Sequence, residues 1–235
     1  MRDYNVKIAC ITETHLVPSI SNSFIDIPHF SLVRNDVDGQ VQKHGVCVYI
    51  HDSVLIDSVD FPFPNVLAFR LTAYDVYVVV VYRAPSNLPP ANNQIASFIG
   101  EFCLNKEVVV LGDFNLPSIG WHSEAATAHV PALEVMFLDV FDTLGLTQWV
   151  SEPTFPRSGN ILDIVLTSEE DRVGSLLVMP PLPGCDHCPV LFDYVFETDA
   201  PISSGGPDRA GDQHRAWHKG KYSLIRQHLL ILIGT

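Results

Sequence analysis

Long apolar runs are missing from this chain of 235 residues, and so is any surplus of positive charge. No stretch reaches the ~18 consecutive apolar residues that a membrane-spanning helix needs, and the run Leu229 to Ile233 near the end is far too short. A signal-peptide profile is lacking at Met1-Arg2-Asp3-Tyr4, and no Asn-x-Ser/Thr sequon is present. Cysteine is sparse and odd in number, at five. Together these absences read as reduced thiols in an intracellular protein of the nucleus or cytoplasm, not secreted and with no membrane contact. Lys and Arg number 14 against 27 Asp and Glu, a formal charge of −13. That balance disfavours tight stand-alone binding of DNA, whose affinity comes mainly from Lys and Arg. It does not exclude cleaving DNA, because carboxylates gathered at a site can hold divalent cations that invert the local sign.

What is present supports a real core. Apolar residues make up 47% of the chain and charged ones 17%, which argues against disorder. Strands are predicted at Val6 to Ile11, Phe30 to Val33, Val46 to Ile50, Val54 to Val59, Val66 to Leu71 and Val76 to Val81. A further strand at Val108 to Leu111 is followed by strands at Leu162 to Leu166, Val173 to Val178 and Pro189 to Val195. Helical spacing of Ile95, Phe98, Ile99 and Phe102 predicts a helix from about Asn92 to Leu104. Leu133, Phe137, Val140, Phe141 and Leu144 predict a second from about Ala132 to Leu144, stopped by Gly145. From about Thr198 the composition shifts to Ser203-Ser204-Gly205-Gly206-Pro207, a linker. Beyond it, Trp217 to Ile233 carries basic residues and an apolar helix pattern. The chain therefore divides into a domain over 1–197 and a linker with a connector over 198–235. Many strands, few helices and mixed connections fit an α/β (α+β) layered sandwich.

The centre of the chain is Val108-Val109-Val110-Leu111-Gly112-Asp113-Phe114-Asn115. A buried strand ends at a glycine, and an acid and an amide then stand two residues apart, on one side of an extended backbone. Other polar residues recur at strand ends: Glu13 after the first strand, Tyr82 after Val76–Val81, and Asp186-His187 before Pro189. Asp163 lies inside the apolar run Ile161 to Leu166, where an unpaired carboxylate would be costly. Singly, each has a dull explanation as a turn or cap residue. Together, acids, an amide and an Asp-His pair are the equipment of metal-assisted phosphodiester hydrolysis. Cys185-Asp186-His187-Cys188 invites a zinc reading, but no second Cys/His pair stands at a usable spacing.

Ile11-Thr12-Glu13-Thr14, Tyr82-Arg83-Ala84-Pro85, Gly112-Asp113-Phe114-Asn115, Leu162-Asp163-Ile164-Val165 and Asp186-His187-Cys188-Pro189 occur in the order of the endonuclease/exonuclease/phosphatase superfamily. Leu116 to Trp121 and Pro153-Thr154-Phe155 resemble one branch of it, the apurinic-type endonuclease domain of non-LTR retrotransposon (LINE) polyproteins. Trp217 to Tyr222 resembles the linker toward a reverse transcriptase in such polyproteins.

The resemblance implies a four-layered sandwich of two β-sheets flanked by helices, with the site at one rim. It implies Mg²⁺, with Mn²⁺ as a substitute, bound by Glu13 with Asp186 near or on the metal. It implies catalytic roles for Asp113, Asn115, Asp163, His187 and Tyr82. His187, oriented by Asp163, would contact the scissile phosphate or act as base. Asp113 would deprotonate the attacking water or protonate the leaving 3′ oxygen. Asn115 and Tyr82 would hydrogen-bond phosphate oxygens, and Thr154 would add a weaker contact. The implied partners are DNA and a C-terminal reverse transcriptase domain in the parent polyprotein. The implied activity is nicking that leaves a 3′ hydroxyl for target-primed reverse transcription. The alternatives are an inactive transposon relic and a phosphatase or phosphodiesterase of the same superfamily. Two departures stand out. The family begins one strand earlier, with an Asn at that strand's end, so an N-terminal truncation is expected. Cys185 replaces the usual Ser before Asp-His, and a thiol donates hydrogen bonds poorly.

Overall fold

The computed structural model describes residues 4–37, 44–58, 62–121, 130–198 and 223–233. In chain order the elements are β1 (Val6–Thr12), a 3-10 turn (Asn22–Phe24), β2 (Phe30–Asn35), β3 (Val46–His51), β4 (Ile56–Ser58), β5 (Val66–Leu71) and β6 (Val76–Tyr82). Then come α1 (Pro89–Phe102), β7 (Glu107–Asp113), α2 (Ala132–Thr143), β8 (Thr147–Gln148), β9 (Asp163–Thr167), β10 (Val173–Val178), β11 (Val190–Thr198) and β12 (Ser223–Ile233). They form two six-stranded sheets, ordered β10-β11-β12-β1-β3-β2 and β4-β5-β6-β7-β9-β8.

Period-two alternation decides what each strand faces. Ile8 and Cys10 of the first sheet and Val78, Val80, Val109, Leu111 and Val165 of the second meet in one core between the sheets. The alternate residues Val79, Val108, Val110, Ile164 and Leu166 pack instead against Ile95 and Ile99 of α1 and Phe137 and Phe141 of α2. The helices thus cover the outer face of the second sheet. The outer face of the first sheet, with Ala9, Cys47, Tyr49 and Phe30, is covered by Ile27 and Met179.

Most predicted elements stand where the pattern puts them. Helix α1 begins at Pro89, earlier than the expected Asn92, because prolines at the first two positions lack only N–H groups that the first turn leaves unpaired anyway. The two-residue strand β8 is too short to leave a periodic signal.

The larger difference is at the end of the chain. The apolar pattern read as helical over Trp217 to Ile233 is, over Ser223–Ile233, strand β12, and Trp217 to Tyr222 lie outside the described residues. It pairs parallel to β1 from Val6↔His228 to Thr12↔Ile233 and antiparallel to β11 from Val190↔Ile231 to Thr198↔Ser223. A continuous apolar run serves a buried central strand as well as a helix. Here two neighbouring strands offer unpaired backbone groups, and pairing both of them decides for the strand. Because β12 runs with β1 and against β11, the end of β1 and the start of β11 come to the same rim.

Candidate active site

The site is assembled from strand ends of both sheets. In the second sheet, the parallel register of β6 and β7 sets Tyr82 beside Asp113, and the antiparallel register of β7 and β9 sets Asp113 directly opposite Asp163. Tyr82, Asp113 and Asp163 therefore form one cross-strand row. Each has the parity of the residues that face the other sheet, and all three are fully buried. From that other sheet Glu13, just past β1, accepts a hydrogen bond from the Tyr82 hydroxyl.

Gly112 explains why the row can close. Its φ is +131°, and a Cβ there would lie 2.0 Å from the carbonyl oxygen of Val81 on the neighbouring strand. Only glycine permits that approach of β6 to β7. Glu13 and Asn115 sit at φ 49°, in the left-handed region that non-glycine residues seldom adopt. Such strain collects at functional positions, where the surroundings hold it in place.

His187 completes the cluster. Its Nδ1 lies 2.9 Å from Asp163 Oδ2, and the Phe155 ring packs at a centroid distance of 4.8 Å. Donor atoms of Asp113, Asp163 and His187 lie within 4.8 Å of one another. Burial pushes the Asp113 carboxyl well above the usual carboxylate range, Asp163 opposite adds to it, and His187 opposes it. Burial also raises Asp163, with its hydrogen bond to His187 acting against that. For His187, burial works against the charged ring, but the hydrogen bond it donates to Asp163 and the charges of Asp163, Asp113 and Glu13 outweigh it and raise its pKa.

The other expected site residues are held as follows. Asn115 Nδ2 donates to Asp113 Oδ2 at 2.8 Å and to the Arg83 carbonyl at 3.1 Å, and its backbone N–H donates to Asp113 Oδ1. Thr154 is buried, and its Oγ1 accepts from the backbone N–H groups of Leu162 and Asp163, both at 3.0 Å. Its carbonyl accepts from Cys188 N–H at 2.7 Å, which ties the Asp186-His187 segment to Asp163. Asp186 stands apart from this cluster: it is half exposed and ion-paired with Arg157 at 3.1 Å. Tyr82 and Thr154 thus support carboxylates, instead of presenting free hydroxyls at the surface.

Sequence reasoning passed over Arg83 and Glu134. Buried Arg83 donates to the carbonyls of Phe114 and Asn115 and so braces the turn that carries Asn115. Buried Glu134 accepts from Ser118 N–H at 2.9 Å and anchors the following loop. A charged residue next to Tyr82 in an otherwise apolar stretch was the only signal for Arg83.

Comparison with known proteins follows from this geometry. The profile of a family described as endonuclease-reverse transcriptase matches residues 76–191. Of the site described above, the matched segment holds Tyr82, Asp113, Asn115, Thr154, Asp163 and His187, while Glu13 comes from outside it. Among solved structures, an AP endonuclease from Leishmania major superposes with a TM-score of 0.65 at 14% identity, covering 81% of this chain and 78% of its own. The endonuclease domain of TRAS1, a telomere-specific non-LTR retrotransposon, gives 0.60 at 17% identity, covering 80% and 85%. A 3′ phosphatase from Neisseria bound to a product DNA hairpin gives 0.57 at 18%, covering 80% and 88%. At these identities the likeness is one of fold. No curated protein matches the chain in sequence.

The proton affinities of the cluster set the pH response of stability. Asp113, Asp163 and His187 all hold protons to higher pH than their ordinary values of 3.8, 3.8 and 6.5. The folded chain then binds more protons than the unfolded chain, so stability falls as pH rises through that window. The metal-free protein is expected to melt at a lower temperature at pH 8 than at pH 6, with a shallower decline in Asp113→Asn. Calorimetry across the interval checks both, and a melting temperature that climbs toward pH 8 would contradict the clustering.

Proposed function

We propose that this chain is a divalent-metal-dependent DNA endonuclease that nicks a phosphodiester bond and leaves a 3′ hydroxyl, from which a reverse transcriptase in the parent polyprotein would prime. The observation that carries the reading is the buried Asp163–His187 pair at 2.9 Å, set in one row with Asp113 and faced by Glu13. Two buried acids and an imidazole, with half-buried Glu13 facing them, suit a hard divalent cation better than they suit one another. Asp163 Oδ1, buried and without a hydrogen-bond partner among the described residues, supports the same fit. Glu13 would hold the ion, and Asp186 would join it on leaving Arg157. When bound, Mg²⁺ or Mn²⁺ supplies neutralisation of the charge that develops on the phosphate.

The residues of the chain do the rest. His187 has Nδ1 committed to Asp163, so its charged ring offers Nε2–H to a phosphate oxygen of the scissile bond. Asp113 exchanges the reaction proton, taking it from the attacking water or giving it to the leaving 3′ oxygen, and burial, which raises its pKa, makes it a better proton carrier than an exposed carboxylate. Asn115 and Arg83 fix the turn on which Asp113 acts. Tyr82 and Thr154 hold Glu13 and Asp163 in register.

Nicking of supercoiled plasmid is expected to require Mg²⁺ or Mn²⁺, to need no zinc, and to stop in excess EDTA. It is also expected to exceed release of phosphate from a 3′-phosphorylated oligonucleotide under matched conditions. Nicking that persists with chelator sinks the metal reading, and faster phosphate release favours a phosphatase.

A further inference from the structure

Beside the cluster, a hydrogen-bond chain fixes one more imidazole whose sequence context drew no assignment. Asn65 precedes β5 at the same rim and is buried. Its carbonyl accepts from Tyr82 N–H at 2.9 Å, and its Oδ1 accepts from Gly45 N–H at 2.7 Å. A backbone N–H can only donate, so the amide oxygen must face Gly45 and the amide nitrogen must face His44, 3.0 Å from its Nδ1. An amide nitrogen only donates in turn. His44 Nδ1 is therefore the acceptor, and the ring proton sits on Nε2.

The placement of that ring is functional ground. The backbone just after Glu13 is zipped to the His44 segment, with His15 N–H donating to the His44 carbonyl at 3.0 Å and Thr14 N–H to the Gly45 carbonyl at 3.3 Å. The His44 ring meets the Tyr82 ring edge-on at 6.3 Å and 78°, and Tyr82 holds Glu13. The ring is half-buried, and Nε2 has no partner among the described residues. Burial favours the neutral ring, with Glu13 acting against it.

We propose that His44 is a DNA-contact residue, a neutral imidazole that donates Nε2–H to a non-bridging phosphate oxygen of the strand being cut, with Asn65 as the positioning residue that sets its tautomer. This rests on the phosphodiester-cleaving reading above. A neutral donor has a specific use here. A cation at this position would pair with Glu13 and compete with the metal, whereas a neutral N–H contacts phosphate and leaves the carboxylate free.

Two measurements on the full chain test this without turnover. Long-range ¹⁵N NMR at pH 7 is expected to show His44 as the Nε2–H tautomer with Nδ1 unprotonated, and Asn65→Leu is expected to mix the tautomers. Titration of a fluorescent duplex oligonucleotide across salt concentrations is expected to show His44→Ala raising Kd roughly three- to tenfold, the loss of one neutral hydrogen bond. The slope of log Kd against log salt should stay unchanged, and His44→Gln should recover part of the affinity. An Nδ1–H or imidazolium spectrum, an unchanged Kd, or a slope reduced by about one, the mark of a lost cation–phosphate contact, each overturns the proposal. Absence of nicking by the unsubstituted chain would overturn the nuclease reading instead, with the spectrum and the Kd series still deciding for His44.

Discussion

Replacing Asp163 by asparagine is expected to lower plasmid nicking by roughly 10²–10⁴-fold, the range for loss of an orienting or acid–base group. The side chain keeps its shape, so the row across β6, β7 and β9 stays intact. What disappears is the charge that raises the affinity of His187 for its proton and holds Nδ1–H toward β9. His187→Ala should cost a similar factor, and the double variant little more than either, because each needs the other. Fully additive losses would mean that the two act independently. Stability should move the other way. Asp113 and Asp163 are like charges directly opposite on adjacent strands, an arrangement that destabilises a sheet. Asp163→Asn should therefore melt no lower than the parent at pH 8. An unstable Asp163→Asn protein would make the acid structural, and a stable, fully active one would remove it from the site.

A proline in β12 is expected to damage fold and activity together. Leu230 pairs with Ala9 on one side and Leu191 on the other, so Leu230→Pro removes a backbone donor from the middle of a six-stranded sheet. The stranded acceptor alone costs about 1–3 kcal/mol, a large part of the ~5–15 kcal/mol typical of a folded protein. Melting temperature should fall by several degrees or more. Hydrogen exchange should rise along β1 and β11 while β6 and β7 stay protected. Nicking should fall with it, because β12 separates the strand leading to Glu13 from the strand preceded by His187. With a strand between them, β1 and β11 stand about 10 Å apart, twice the interstrand spacing. Unchanged exchange along β1 in Leu230→Pro would show that β12 does not hold this place.

Much of the architecture was legible because the driving patterns are local. The runs Val76 to Val81 and Val108 to Leu111 can be little else than buried strands, and the apolar stripe from Leu133 to Leu144 can only be an amphipathic helix. The acids at strand ends were legible as chemistry for the same reason: Asp163 in an apolar run needs a partner wherever the run lies. Alternation even implies which side Asp113 and Asp163 face.

The sequence by itself thus determined the strands, the two helices, the order of the motifs and the residue types available for chemistry. Register, partner and role belonged to the tertiary structure. No pattern in residues 108–115 says that Asp113 will stand opposite Asp163, since register comes from pairing between distant segments. The hydroxyls of Tyr82 and Thr154 could serve a phosphate or a carboxylate, and only packing turned them toward Glu13 and the Asp163 backbone. His44 gained its fixed tautomer from an amide 21 residues away along the chain. The tail Ser223–Ile233 carried a pattern suited to helix or strand, and the paired edges of β1 and β11 decided it. Local periodicity selects among conformations of one segment, whereas backbone hydrogen bonds and buried polar groups must be satisfied across the whole molecule, and that requirement set the site.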